Sequence, residues 1–278
     1  MSKKIIFFGT PPFAVSCLEK VVKEKFNVVA VVTAPDRPAG RGRKIKSSAV
    51  KHFVETKNIP VLQPGNLKAP EFIKKLNELE PDLMVVVAFR MLPREVWSIP
   101  SLGTFNLHAS LLPNYRGAAP INWSIINQEK YSGVTTFFIN EEIDSGAILL
   151  QEKVDIETQD TAGSLHDKLA KKGSELICNT IRGILKGSIT PQKQEEKGSE
   201  KAAPKLNKEN LKLCSGWYGA QLLKRSPKEE FKLMQKQLKL FKDCNSPCMV
   251  FAEVTDSVQG DPVTPLSKRP KLSNDDWK

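Results

Sequence analysis

The sequence predicts an α/β fold with a doubly wound, mostly parallel sheet, and three observations support this prediction. Apolar runs at residues 5–8, 28–32 and 83–87 are typical of strands that are buried on both faces. Segments with helical spacing separate these runs, as the crossover connections of a parallel sheet require. Gly9 and Thr10 follow the first run and lead into a helical pattern, which is how a doubly wound domain opens.

The alternation of strands and helices continues beyond the second strand. Helices are predicted over residues 49–56 and 69–79, and each precedes a short strand, at residues 61–62 and 83–87. A further helix begins near residue 121.

The last part of the predicted sheet combines two strands with a long helix. The strands cover residues 134–139 and 147–151, and the first is rich in β-branched and aromatic residues. Residues 161–185 form an amphipathic helix that we expect to cover the sheet, because its apolar residues recur at three- and four-residue steps. These residues are Leu165, Leu169, Leu176, Ile177, Ile181 and Ile184. His166 lies on this helix, and we assign it no chemistry.

The first strand-to-helix turn excludes one kind of site. It reads G-T-P-P-F-A at residues 9–14 and lacks the G-x-G-x-x-G pattern that lets a backbone approach a pyrophosphate. We therefore expect no nucleotide cofactor on this turn.

A candidate site begins at residue 104, where a short strand carries two polar side chains. Asn106 and His108 are two residues apart, so they point to the same face of the strand. An amide can donate a hydrogen bond to a developing oxyanion, and an imidazole can take or give a proton near pH 7. A core strand with one hydrogen-bonded histidine is the alternative. The second polar group and the irregular exit through Pro113 and Gly117 favour a site.

A basic segment follows the second strand. Pro35, Pro38, Gly40 and Gly42 predict irregular structure there. The same segment carries five basic residues, which are Arg37, Arg41, Arg43, Lys44 and Lys46. A solvated loop is one interpretation, and a mobile arm that contacts nucleic-acid phosphates is the other.

The composition indicates a basic globular protein of a reducing compartment. The net charge is +11, which attracts polyanions, and nucleic acid is the commonest of these. The five cysteines are odd in number and widely spread, so they predict neither a disulfide framework nor a zinc set. The chain starts at once with a strand and has no long apolar run. We therefore expect a cytoplasmic protein with no presequence and no membrane span.

Three motifs in order resemble the folate-dependent formyltransferases. N-L-H-A-S-L-L-P-N-Y-R-G-A-A-P at residues 106–120 is similar to the signature of that family, and D-S-G at residues 144–146 falls where the family has its second signature. I-I-F-F-G-T-P-P-F-A-V at residues 5–15 resembles the branch that acts on methionyl-tRNA. The match extends from about residue 3 to about residue 213.

The resemblance implies roles for named residues. Asn106, His108 and Asp144 would be catalytic, and Asp144 would orient His108 and stabilise its charged form. The folate-binding candidates are Phe89, Arg90, Met91, Leu92, Ser110, Leu111, Leu112 and Pro113, although many relatives have glycine where Arg90 stands. An inserted loop that engages the tRNA acceptor arm in the family matches the basic segment here, which implies that Arg37, Arg41, Arg43 and Lys44 bind tRNA.

The implied reaction transfers a formyl group from 10-formyltetrahydrofolate to the amino group of initiator methionyl-tRNA. It needs an oxyanion donor and a route for the proton of the amine, and Asn106 and His108 supply both. No activated Ser or Cys lies in the signature, so no covalent intermediate is expected, and neither is a metal. The hypothesis takes the protein to be a monomer.

Three alternatives stay open. A sister formyltransferase acting on an amino-sugar nucleotide or on glycinamide ribonucleotide would share the three catalytic residues. An inactive formyltransferase-like RNA-binding protein is the second alternative, and an unrelated basic α/β binding module is the third. The basic segment at residues 36–46 argues against a small nucleotide substrate, and the intact catalytic residues argue against an inactive protein.

The chain of 278 residues predicts one large domain and an appendage. We assign residues 1–187 to the catalytic domain, 188–206 to a polar linker and 207–278 to an atypical C-terminal segment. The family has a small β-barrel domain there, but residues 227–242 read as a basic amphipathic helix and residues 256–278 as a polar, disordered stretch. A diverged tail, a fusion and a misassembled reading frame all fit this composition.

Overall fold

Eleven strands and six helices occur in the computed structural model, which describes residues 2–39, 44–195, 217–220 and 250–253. The strands are β1 (Ile5–Gly9), β2 (Val28–Val32), β3 (Arg37–Ala39), β4 (Lys44–Lys46), β5 (Val61–Leu62), β6 (Leu83–Val87), β7 (Thr104–His108), β8 (Tyr131–Phe138), β9 (Ile148–Asp155), β10 (Trp217–Ala220) and β11 (Val250–Glu253). The helices are α1 (Pro12–Lys23), α2 (Ala49–Val54), α3 (Pro70–Leu79), α4 (Arg94–Trp97), α5 (Pro120–Ile126) and α6 (Ala162–Lys186).

The main sheet has seven strands in the order β5-β2-β1-β6-β7-β8-β9. The first five of these are parallel, and β8 and β9 pair in antiparallel fashion at one edge. The predicted doubly wound, mostly parallel sheet is therefore confirmed. The strand order reverses between β1 and β6, and in such sheets the crevice beside the carboxyl ends of the strands at this point binds ligands.

Both faces of the sheet are covered, which explains the continuous apolar strands. Ile5 and Phe7 of β1 belong to one core cluster, and Ile6 and Phe8 belong to the other. Successive side chains of a strand point to opposite faces, so a strand that is covered on both sides has no polar positions. α1, α2 and α6 contribute to the first cluster, whereas α3 and α4 contribute to the second.

The bounds of α6 follow from its end residues. Thr161 accepts a hydrogen bond from the Ser164 N–H, and the Ser164 hydroxyl in turn accepts one from the Thr161 N–H, a reciprocal capping box. The helix ends at Gly187, whose φ of +64° is a conformation that glycine adopts without strain. The predicted apolar positions Leu165, Leu169 and Ile181 are fully buried.

Three features differ from the sequence predictions. The basic segment after β2 contains two short paired strands, β3 and β4, although its prolines and glycines predicted irregular structure. β9 extends to Asp155 because it pairs with β8 along its whole length. The predicted linker begins at residue 188, yet Gln192 pairs with Ile148 through both backbone groups, and Gln194 is buried. Gln192 and Gln194 therefore pack against β9 and the loop that precedes it.

The chain divides into two units, residues 1–37 with 46–203 and residues 38–45 with 204–278. The second unit contains β10 and β11, a parallel pair that the sequence did not predict. The predicted basic helix at residues 227–242 and the predicted disordered stretch at 256–278 lie outside the described residues. No helix of the described ranges combines the length and the hydropathy that crossing a bilayer requires.

Gly133 of β8 lies where two neighbours leave no room for a side chain. A Cβ atom there would lie 2.4 Å from the carbonyl oxygen of Glu152 and 2.4 Å from Cδ2 of Leu111. Gly133→Ala is therefore expected to lower the free energy of unfolding by about 1–3 kcal/mol, because the paired backbone of β9 cannot move away freely. Urea denaturation measures this change.

The matched control is Gly65→Ala. A Cβ atom at Gly65 meets nothing within 4 Å, so its unfolding free energy should change by less than about 1 kcal/mol. Equal stability of the two variants would contradict the assigned β8–β9 register.

Candidate active site

A cavity of about 680 Å³ lies at the carboxyl ends of the parallel strands, beside the point where the strand order reverses. Segments that follow four strands of the sheet reach it. Pro11 and Phe13 follow β1, residues 88–92 follow β6, Asn106 and His108 end β7, and residues 139–144 follow β8. Its lining is mostly apolar with a few polar groups, which is the usual make-up of a small-molecule site.

His108 is held between two oxygen atoms. It is 7% exposed, and its Nε2 lies 2.7 Å from the Tyr115 carbonyl oxygen. A carbonyl only accepts hydrogen bonds, so Nε2 carries the proton of that bond. Nδ1 faces the Asp144 carboxylate, with 3.6 Å between Nδ1 and Oδ2. The ring is therefore fixed in orientation and, when charged, forms an ion pair with Asp144.

Asn106 is placed beside His108, as the sequence predicts. β7 pairs with β6 and β8, and Asn106 lies opposite Val86 on one side and Phe137 on the other. Its half-buried side chain lines the cavity and makes no hydrogen bond to any described residue. The amide is consequently available to donate to a ligand oxygen.

Asp144 is brought to His108 by a tight loop. Its φ of +50° is the left-handed conformation that non-glycine residues seldom adopt. The carboxylate Oδ2 accepts a hydrogen bond of 2.9 Å from the Gly117 N–H. Gly146 fits only as glycine, since a Cβ atom would lie 1.7 Å from the Phe138 carbonyl oxygen. The D-S-G motif thus aims a carboxylate at the imidazole.

Four of the proposed folate-binding residues line the cavity. These are Phe89, Arg90, Met91 and Leu92. Met91 is 65% exposed, so a large apolar side chain stands open to a ligand there. The Arg90 guanidinium donates to the carbonyl oxygens of Pro64 and Gly65. Partial burial and, secondarily, the positive charge of Arg37 lower the pKa of Arg90.

The other four proposed folate-binding residues do not line the cavity. They are Ser110, Leu111, Leu112 and Pro113. The Leu112 N–H donates to the Thr135 hydroxyl at 3.1 Å, and the Leu112 carbonyl accepts from Gln151 at 2.8 Å. The Thr135 hydroxyl donates to the Ser110 carbonyl at 2.6 Å. These bonds tie the segment to β8 and β9, and its contact with folate stays a prediction.

The proposed tRNA-binding loop is described only at its ends. Arg37 is exposed, Arg41 and Arg43 lie outside the described residues, and Lys44 belongs to β4 with its side chain outside the described part. The loop leaves the domain at Asp36, which is firmly anchored. Lys51 and Gln63 both donate to the Asp36 carboxylate and hold its pKa below the usual range.

Sequence reasoning missed several residues near the site, among them His166 and Gln194. His166 lines the cavity, and its ring packs edge-on against Phe13 with 5.3 Å between centroids. Gln194 hydrogen-bonds the Asp144 loop and Arg116. The helical periodicity of α6 could have placed His166 on the inner face of the helix, but no local pattern marks Gln194.

The described cysteines are not reactive groups. Cys17 and Cys178 are free and buried, and burial raises the pKa of both thiols, that of Cys178 to about 11. The described ranges contain no group of three or more His, Cys, Asp or Glu that could hold a metal ion. The other three cysteines lie outside those ranges, so the expectation that they bind no metal stays a prediction.

Comparison with known proteins identifies close bacterial relatives. A methionyl-tRNA formyltransferase from Flavobacterium johnsoniae is 54% identical over 210 residues, which cover 76% of this chain and 67% of that protein. One from Bacteroides thetaiotaomicron is 48% identical over 213 residues, covering 76% of this chain and 66% of that protein. The chain therefore spans about two thirds of the length of these relatives.

Solved structures share the fold. Phosphoribosylglycinamide formyltransferase from Bacillus halodurans has a TM-score of 0.57 and 23% identity, and covers 66% of this chain and 95% of that one. An N-formyltransferase from Helicobacter canadensis, solved with folinic acid and dTDP-3-aminofucose, has a TM-score of 0.55 and 25% identity, and covers 72% of this chain and 70% of that one. The profile named Formyl transferase matches residues 3–181. With that match over more than half of its 278 residues, the chain belongs to the formyl transferase family.

Proposed function

We propose that the chain transfers a formyl group from 10-formyltetrahydrofolate to the amino group of methionine on initiator tRNA. The observation that carries the proposal is the arrangement of Asn106, His108 and Asp144 on one wall of an open cavity. The names of the relatives supply the acceptor, since proteins about half identical to this chain are methionyl-tRNA formyltransferases.

The cavity suits the proposed formyl donor. Its volume of about 680 Å³ lies within the range of small-molecule sites. Phe89, Met91 and Leu92 offer apolar walls, and the Phe89 ring is braced edge-on by Phe8 with 5.6 Å between centroids. Backbone groups of the loop after β6 would bind the polar edge of a pterin ring. The bound donor supplies an electrophilic formyl carbon.

The three polar residues divide the chemistry of the transfer. Asn106 donates a hydrogen bond to the formyl oxygen as negative charge develops on it, and one such contact is worth about 3 kcal/mol. His108 accepts the proton that the attacking amine loses, directly or through a water. The bond between the formyl carbon and N10 of the donor then breaks, N10 takes up a proton, and tetrahydrofolate leaves. Asp144 holds the imidazole in place and stabilises its charge. No Ser or Cys is found among the described lining residues, which supports direct transfer.

A second group of residues that line the cavity is available to contact the acceptor end of tRNA. Pro11 lies just before α1, Phe13 belongs to α1 and His166 to α6, so none of the three comes from the loop after β6. The aromatic pair of Phe13 and His166 offers a surface on which a base or an apolar aminoacyl side chain could stack.

His166→Ala is expected to raise the KM for methionyl-tRNA about tenfold and to leave the KM for the formyl donor within about twofold. Loss of one stacking contact is worth about 1–3 kcal/mol. Steady-state kinetics with each substrate varied in turn measures the two values. His52→Ala is the matched control, because the His52 side chain is 87% exposed on α2. A rise in the donor KM alone would assign His166 to the folate side.

The basic loop completes the proposal for tRNA. Arg37, Arg41, Arg43 and Lys44 would contact phosphates of the acceptor arm, and the overall charge of +11 favours the encounter. Lys51 and Gln63 hold Asp36 at the start of the loop, which supports this assignment. A loop whose first residue is held in place can reach only a limited region. We further propose that the protein acts in the cytoplasm as a monomer and without a metal.

Formylation of methionyl-tRNA with 10-formyltetrahydrofolate tests the function. The full chain is compared with a chain ending at Asn207, using initiator methionyl-tRNA as acceptor. Activity in both supports the proposal and makes the C-terminal segment dispensable. Activity only in the full chain supports it and assigns tRNA binding to that segment. Transfer to an amino-sugar nucleotide or to glycinamide ribonucleotide, with none to tRNA, would overturn it.

A further inference from the structure

A buried glutamine connects the two loops that carry the site. Gln194 is 6% exposed, whereas residues 190–193 and 195 on either side of it are exposed. Burying a polar amide is unfavourable unless its hydrogen-bonding groups find partners. The burial of this single side chain in an exposed segment therefore indicates that its contacts fix its position.

Gln194 uses both ends of its amide. Nε2 donates to the carbonyl oxygen of Asp144 at 2.9 Å and to that of Gly146 at 2.7 Å. Oε1 accepts from Nε of Arg116 at 2.9 Å and from Nη2 at 2.7 Å. Carbonyls only accept and a guanidinium only donates, so these partners determine which end of the amide is nitrogen. No other residue type could make all four bonds at this place.

The four hydrogen bonds of Gln194 connect the two segments that also meet in the Asp144–Gly117 contact. Arg116 precedes Gly117, whose N–H donates to the Asp144 carboxylate. Gln194 therefore holds both sides of that hydrogen bond, the turn at Arg116 and the backbone of Asp144. The Asp144 backbone is in the left-handed conformation, which costs about 1–2 kcal/mol and persists only where the surroundings hold it.

The segment that carries Gln194 is itself fixed. The backbone N–H and carbonyl of Gln192 pair with Ile148 at 2.8 and 2.7 Å, next to the start of β9. This bridge sets Gln194 in register with the Asp144 loop. The side chain of Gln192 is exposed, so only its backbone takes part.

We propose that Gln194 is a positioning residue for the transfer reaction. Its amide holds the backbone of Asp144 in the conformation that aims the carboxylate at His108. It does not touch the reacting atoms and acts through Asp144. The inference rests on the proposed function for its kinetic test and on geometry alone for its structural test.

Gln194→Met replaces the amide with an apolar chain of similar length. It is expected to lower kcat about 10–100-fold, because small misplacements of a catalytic group cost rates of that order. The KM for each substrate should change less than about threefold. Gln194→Glu keeps an acceptor for Arg116 but removes the two hydrogen bonds donated to the Asp144 loop. Its kcat should therefore fall as much as that of Gln194→Met. Gln192→Met is the matched control and should behave as wild type.

A double variant separates positioning from general stability. In an Asp144→Asn background, adding Gln194→Met should lower kcat less than about twofold, since the residue acts through the group already removed. If Gln194→Met lowers kcat in the Asp144→Asn background as much as it does in the wild type, the inference is overturned. Near-normal kcat in Gln194→Glu would also overturn it. A rise in KM at unchanged kcat would also overturn it.

Hydrogen exchange gives a readout that needs no activity. The Gly117 amide is protected by the Asp144 carboxylate, and in Gln194→Met it should exchange about tenfold faster or more, at unchanged melting temperature of the core. In Gln192→Met it should exchange as in wild type. Unchanged Gly117 exchange in Gln194→Met overturns the inference. If the wild-type chain formylates no tRNA, the proposed function fails, and the exchange experiment still decides the role of Gln194.

Discussion

His108→Ala is expected to lower kcat for formyl transfer to methionyl-tRNA by about 10³-fold or more. The imidazole is assigned to accept the proton of the attacking amine, and general base catalysis contributes about 10²–10⁴-fold. Single-turnover formylation with saturating substrates measures the rate of the chemical step.

The loss should be separable from unfolding. His108 borders a cavity, so alanine leaves space that opens to solvent rather than a closed void, and the circular dichroism spectrum should be unchanged. His52→Ala removes an exposed histidine and should keep full activity. A His108→Ala protein that retains a third or more of the wild-type rate would refute the assigned mechanism.

Asp144→Asn is expected to lower kcat about 10²–10⁴-fold with little change in either KM. The amide keeps the size of the carboxylate and can still accept from the Gly117 N–H. It removes the negative charge that lies 3.6 Å from Nδ1 of His108, and a neutral partner no longer stabilises the charged ring. Comparable carboxylate-to-amide changes beside catalytic histidines have effects of this size.

Asp155→Asn is the control for this substitution. Its side chain is 86% exposed at the end of β9, and Asp155 is not among the residues that line the cavity. Activity of Asp144→Asn within threefold of wild type would mean that Asp144 only shapes the loop. In that case the rate should respond to Gly146→Ala more than to Asp144→Asn.

Local pattern predicted most of the α/β framework. The apolar runs at β1, β2 and β6 needed no tertiary information, because a strand covered on both faces has to be apolar throughout. The placement of Asn106 and His108 on one face also followed from the chain alone, since strand side chains alternate. The contact between His108 and Asp144 depended on the family resemblance.

Contacts between distant residues decided the rest. Ser110–Pro113 closely follows β7 in sequence, yet Thr135 and Gln151 form hydrogen bonds with its backbone groups, and none of its four residues lines the cavity. Gln194 bonds to residues 48 to 78 positions earlier in the chain. Hydrogen bonds over such separations leave no periodicity and no motif.

By itself, the sequence determined the order of most strands and helices of the main domain, the buried faces and the identity of the polar residues of β7. These depend on local spacing and on the polarity of single side chains. The tertiary structure decided which loops meet at the carboxyl edge of the sheet, how the Asp144 carboxylate is aimed and which neighbours line the cavity. Such choices depend on hydrogen bonds that form only after the sheet has brought remote segments together.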